Sequence, residues 1–112
     1  MSAITTHVLD ISRGRPASGV AVTLERETAD GAWEPMGKGV TDADGRARDL
    51  MSERLSEGIY RLTFATGPYF AAQAIETFYR EVMIVFKISD PAQHYHVPLL
   101  LSPFGYSTYR GS

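Results

Sequence analysis

The chain has 112 residues, 44% hydrophobic and 21% charged, with a formal net charge of −2 and no cysteine. That length suits one domain, residues 1–112, burying roughly two thirds of its unfolded surface. The charge gives no electrostatic case for nucleic acid or an anionic membrane, and the missing thiols exclude disulfides, thiolate metal ligands and a cysteine nucleophile.

No apolar run approaches the roughly 20 residues that span a bilayer. The N-terminal segment has neither the basic nor the apolar region of a signal peptide, so a cytoplasmic location is expected. Ile4 to Ser12 reads as a first strand, closed by the breaker-rich Arg13-Gly14-Arg15-Pro16. Its alternation is imperfect and does not say which way His7 points. Val20, Val22 and Leu24 alternate with Ala21, Thr23 and Glu25, a half-buried strand. Thr28 to Gly31 is turn-like, and Trp33 to Val40 is the returning strand of a hairpin.

Thr41-Asp42-Ala43-Asp44-Gly45-Arg46 is a tight turn, because Asp side chains bond nearby backbone and Gly supplies positive φ. Arg46 is then either a solvated flank or a guanidinium aimed at an anionic or carbonyl-rich ligand. Ser52 to Gly58 is polar and ends in a second turn. Tyr60, Leu62 and Phe64 form the inward row of another strand, and Gly67-Pro68 breaks it. Tyr69 to Thr77 has the only sustained helix preference, enough for two turns at most.

Glu81 to Ser89 is a strong strand with Val82, Ile84, Phe86 and Ile88 on one face and Met83 and Val85 on the other. Apolar residues on both faces suggest that a second subunit covers the outer one. After Asp90-Pro91, Tyr95, Val97, Leu99 and Leu101 alternate with His94, His96 and Pro98, placing both histidines on the outward face. Pro98 cannot donate to a ladder, so this strand has an edge, a bulge or an irregularity there. A final strand follows Ser102-Pro103, with Tyr106, Thr108, Arg110 and Ser112 on one side if it stays extended. Seven or eight short strands with regular turn signals and one small helix make an all-β, two-sheet β-sandwich.

His7, His94 and His96 are the only histidines. Their spacing admits three readings: polar decoration of a solvent face, a three-histidine zinc site, or acid–base catalysis.

Three blocks carry a family resemblance. The closing run His96-Val97-Pro98-Leu99-Leu100-Leu101-Ser102-Pro103-Phe104-Gly105-Tyr106-Ser107-Thr108-Tyr109-Arg110-Gly111-Ser112 resembles the carboxy-terminal signature of the 5-hydroxyisourate hydrolases, the transthyretin-related enzymes of urate breakdown. Thr6-His7-Val8-Leu9-Asp10 and the turn at Thr41 to Arg46 resemble the same enzymes. The hormone-carrier transthyretins share the Leu-Leu-Ser-Pro-x-x-Tyr-Ser-Thr part but not the ending Tyr-Arg-Gly-Ser. The chain departs from the enzymes at Phe78-Tyr79-Arg80-Glu81, where many members carry a proline.

The resemblance implies a transthyretin-like sandwich of two four-stranded sheets. It implies ring-opening hydrolysis of 5-hydroxyisourate to 2-oxo-4-hydroxy-4-carboxy-5-ureidoimidazoline, with no cofactor and no metal. Carried over position by position, it makes His7, Arg46 and His96 catalytic and Tyr109, Arg110, Gly111 and Ser112 substrate-binding, with the terminal carboxylate as a further orienting group. It carries no catalytic role onto His94, which is left either supporting or merely exposed. It also implies a homotetramer, a dimer of dimers with sites in a channel between dimers. The alternatives are a transthyretin-type carrier of a small aromatic ligand and a non-catalytic sandwich used for adhesion or scaffolding.

Overall fold

The computed structural model describes residues 3–51 and 53–112. Met1, Ser2 and Ser52, the last at the head of the polar segment read as leading to a turn, lie outside them. The strands are β1 (Ile4–Asp10), β2 (Arg15–Pro16), β3 (Ala21–Glu27), β4 (Trp33–Val40), β5 (Arg46–Ala47), β6 (Gly58–Phe64), β7 (Val82–Ile88), β8 (Tyr95–Ser102) and β9 (Gly105–Thr108), with one helix, α1 (Thr66–Ala71).

They make two sheets. One runs β4-β3-β6-β7, antiparallel throughout. The other runs β2-β1-β8-β9, and β5 adds to the same edge of β1 that β2 occupies further along. β1 and β8 are parallel, so residues 4–10 lie beside 95–101. Two short pieces, β2 and β5, therefore raise this sheet to five strands where two sheets of four were expected. Two residues carry too little pattern to register as a strand in sequence.

A single core fills the space between the sheets. Val8, Leu99 and Leu101 come from one side and Leu24, Leu62 and Phe64 from the other, all at most 2% exposed. Each such side chain contributes about 1.5–3 kcal/mol by leaving water. β1 hid its inward face because two of its four core positions are polar. Ile4, Thr6, Val8 and Asp10 are all fully buried. The Thr6 hydroxyl donates to the Val97 carbonyl at 2.5 Å. The Asp10 carboxylate accepts from the Ser12 hydroxyl at 2.5 Å and the Tyr69 hydroxyl at 2.8 Å. Bonds of that kind are what allow such groups indoors. His7 thus belongs to the outer face.

The helix lies earlier than its composition suggested. Gly67 and Pro68 do not break the chain; they form the first turn of α1, where a proline costs little because the early N–H groups have no helical partner anyway. Ala74, at φ +57°, ends the segment, and the Ile75 N–H reaches back to the Phe70 carbonyl at 3.0 Å. That is the left-handed closing turn that usually follows a helix.

Candidate active site

Arg46 is aimed by the turn before it. One Asp42 carboxylate oxygen accepts from the Asp44 N–H at 2.9 Å and the Arg46 N–H at 3.0 Å. Those bonds, that to Arg46 first, hold the Asp42 carboxyl below the usual carboxylate range. Gly45 sits at φ +77°, and a Cβ there would stand 2.4 Å from the Val8 carbonyl. The Gly45 carbonyl in turn accepts the Val8 N–H at 2.7 Å. So the turn is stitched to β1, and its exit strand β5 pairs Arg46 directly with His7. The His7 Nε2–H donates to the Asp44 carbonyl at 2.8 Å. A carbonyl can only accept, so Nε2 carries a proton, and in the neutral ring Nδ1 keeps the lone pair.

His96 is placed by β8. Across the parallel ladder it faces Thr5, whose hydroxyl lies 2.8 Å from His96 Nδ1 and 3.0 Å from His94 Nε2. Nε2 of His96 is the nitrogen left for water or substrate. On its other side the ladder between β8 and β9 breaks at Pro98, which has no N–H. The Thr108 hydroxyl donates to the Pro98 carbonyl at 2.7 Å, and the pairing resumes at a single bridge between His96 and Gly111. The irregularity expected at Pro98 is therefore present, but in an interior strand. It frees Tyr109 and Arg110 to turn away and brings the backbone of Gly111 onto the His96 ring. A Cβ on Gly111 would lie 2.7 Å from His96 Cδ2.

The expected site residues fall into two adjoining depressions. Arg46, His96 and Ser112 line one of about 370 Å³, with Thr5, Thr6, Arg48 and His94. His7 stands beside it as the cross-strand partner of Arg46. Tyr109 and Arg110 line the second, about 270 Å³, which opens between β7 and β8 and shares His96 with the first. The Arg110 guanidinium covers the Tyr95 ring at 4.6 Å and donates to the Gln93 side chain at 2.6 Å. So Arg110 and Ser112 do not share one side, as a fully extended tail would require.

The first depression is cationic: Arg46 and Arg48 line it and no Asp or Glu side chain does. Burial lowers the His96 pKa below its ordinary 6.5, and the charges of Arg46, His7 and His94 lower it further. A neutral imidazole beside a guanidinium can accept a proton while the guanidinium holds negative charge. Thr5 and Arg48 were not singled out in the sequence. Each lies two residues from a candidate, His7 and Arg46 respectively, and that spacing on a strand is the signal that finds them. Among the described residues, no group of three or more His, Asp and Glu side chains is arranged to hold a metal, and no helix is long and apolar enough to cross a membrane.

The sequence profile of the HIUase/Transthyretin family matches residues 4–111. The chain belongs to this family. It is 48% identical over 117 aligned residues to the 5-hydroxyisourate hydrolase of Caulobacter vibrioides, covering all of both chains. Among solved structures, the 5-hydroxyisourate hydrolase of Klebsiella pneumoniae superposes with a TM-score of 0.86 at 43% identity, over 97% of this chain and 98% of that one. Sea bream transthyretin in complex with thyroxine superposes with a TM-score of 0.92 at 36% identity, over 98% and 95%. Within the family, then, the backbone does not separate hydrolase from carrier.

Proposed function

We propose that this chain hydrolyses 5-hydroxyisourate, opening its six-membered ring to 2-oxo-4-hydroxy-4-carboxy-5-ureidoimidazoline in urate breakdown. The observation that carries this reading is the arrangement of Arg46, His96 and Ser112 around one cationic depression, with His7 paired to Arg46. Hydrolysis of a ring amide needs a base for water, a proton for the departing nitrogen and a donor for the developing oxyanion. His7 Nδ1, and His96 Nε2 when the His96 proton sits on Nδ1, are lone pairs available for proton transfer. The Arg46 guanidinium, a rigid fork of N–H donors, suits a planar, oxygen-rich heterocycle and the charge that grows on it. Ser112 adds a hydroxyl at the rim, and Gly111 keeps the His96 ring in place. Tyr109 and Arg110 bound the neighbouring groove and take the part of substrate reaching past His96. A carrier of thyroxine-like aromatics would gain little from two arginines in that lining. The test is the decay of fresh 5-hydroxyisourate with and without the protein.

Residues 1–112 act as one domain, supported by the single core shared by both sheets, and the working form is a homotetramer. β7 and β9 are sheet edges, with open backbone on one side. Met83 and Val85 on β7 are 47% and 58% exposed, and Tyr106 on β9 and Phe104 just before it are also exposed. A second copy on these edges would cover them, and further copies would close the shallow outer-face site into a channel. The location is cytoplasmic on this reading.

A further inference from the structure

The hydroxyl of Thr5 touches two imidazoles at once. Oγ1 lies 2.8 Å from His96 Nδ1 and 3.0 Å from His94 Nε2, and Thr5 is only 5% exposed. The two rings stand with centroids 6.5 Å apart and planes within 24°. A hydroxyl has one proton, so it donates to one ring and accepts from the other. The tautomers of the two histidines are therefore locked together. When His96 carries its proton on Nδ1, Thr5 donates to His94. When Thr5 donates to His96, His94 carries its proton on Nε2.

We propose that Thr5 and His94 form a proton relay behind His96. This rests on the hydrolase reading above and adds to it. As water attacks, its proton passes to His96 Nε2. The Nδ1 proton of His96 moves to Thr5 Oγ1 while the Thr5 hydroxyl proton moves to His94 Nε2. His96 ends neutral with its proton on Nε2, Thr5 is an intact hydroxyl, and His94 holds the positive charge. His94 then releases its Nδ1 proton to solvent. The His96 Nε2–H now faces the ring nitrogen that must be protonated as the C–N bond breaks. Giving up that proton, with the relay run in reverse and one proton returned by solvent to His94, restores the starting state.

The charges around the site give the relay its direction. His96 is half-buried and faces Arg46 and Arg48 in its own depression, His7 beside it, and Arg110 and Lys87 in the adjoining groove. Burial and the charge of Arg46 disfavour a positive charge left on His96, although the terminal carboxylate of Ser112 lies in the same depression. His94 is exposed, and water stabilises the same charge there. Thr5 and His94 line the same depression but exchange no proton with the substrate in this scheme; they are positioning residues that act through His96.

Thr5→Val, Thr5→Ser and His94→Phe decide the matter, with the native chain as reference. Thr5→Val keeps the shape and removes the proton carrier, and His94→Phe keeps an exposed ring there and removes its bond to Thr5. Both should lower kcat by about tenfold or more, the lower range of general acid–base effects, with KM within about twofold. Thr5→Ser should recover most of the rate, and added imidazole buffer should raise kcat of His94→Phe. Nitrogen-15 spectra of the resting protein should show the His96 tautomer altered in Thr5→Val. If Thr5→Val does not fold, His94→Phe and its buffer response still decide. Variants with native kcat, or a loss that imidazole does not relieve and no tautomer change accompanies, would overturn the relay. A native chain that fails to accelerate 5-hydroxyisourate decay would instead overturn the hydrolase reading.

Discussion

The backbone N–H of Gly111 donates to the carbonyl of His96 at 2.8 Å, and nothing larger than hydrogen fits on its Cα without striking the imidazole. This contact links the tail to the central histidine. Gly111→Ala would place a methyl 2.7 Å from His96 Cδ2 and 3.2 Å from the Pro98 ring. The tail can give way at modest cost, so stability should fall by about 1–2 kcal/mol. The rate should fall further, by about a hundredfold, because small displacements of a reacting group are costly. Thermal melting compared with hydrolysis rate checks this, and equal, small effects on both would make the contact ordinary packing.

Removing Arg110, Gly111 and Ser112 together deletes a hydroxyl of the site, the bond to His96 and the cation over Tyr95. The core residues Leu99 and Leu101 stay. Stability should drop by about 1–2 kcal/mol, the sum of a hydrogen bond and a surface cation–π contact. Hydrolysis should drop about a hundredfold, the scale of losing one positioned donor at developing charge. A truncated chain within threefold of native activity would show the tail to be edge structure only.

Much of this was legible in the sequence. Alternation gave the long strands, and it put His94 and His96 on one outward face, where they stand. What it could not give was set by contacts remote in sequence. His7 was ambiguous because Thr6 and Asp10 occupy core positions, satisfied by Val97 and Tyr69 from other elements. The Gly67-Pro68 pair read as a break because helix position, not composition, makes a proline harmless. Arg110 and Ser112 were expected on one side, but the missing N–H of Pro98 interrupts the ladder and turns two residues of the tail away.

The His96 imidazole titrates below its ordinary 6.5, through burial first and then the charges of Arg46, His7 and His94. As base it must be neutral, so activity should persist below pH 6.5 and be lost only as the pH falls through the depressed value. Stability follows the same direction. The unfolded chain takes up the His96 proton first, so this contribution is intact above about pH 6.5 and declines as pH falls toward the folded-state value. Proton NMR titration of His96 checks the shift. Arg46→Met should raise the titration point, since it removes a facing cation; an unchanged value would contradict the assigned cause.

Hydrolysis should not require a metal. Thr5 engages one nitrogen each of His94 and His96, and the Asp44 carbonyl engages one of His7, so the three rings are oriented by the protein itself. Dialysis against a strong chelator should leave the rate unchanged. A loss restored by zinc would make the histidines a ligand set.

The assembly is tested by light scattering. The proposed homotetramer should give a species four times the mass of one chain, with copies meeting at the open edges of β7 and β9 and over the exposed Met83 and Val85. A stable, active monomer would refute the shared channel.

The central claim is that His7, Arg46 and His96 make a hydrolytic site on the outer face of the sandwich. Its most direct test is the ultraviolet decay of freshly generated 5-hydroxyisourate at matched pH, with native protein and with His7→Ala, Arg46→Ala and His96→Ala. The native chain should accelerate the decay and yield the ring-opened product, and each variant should lose about a hundredfold or more while keeping the native melting profile. Decay at the unaided rate with micromolar native protein, or variants as fast as native, would contradict the account.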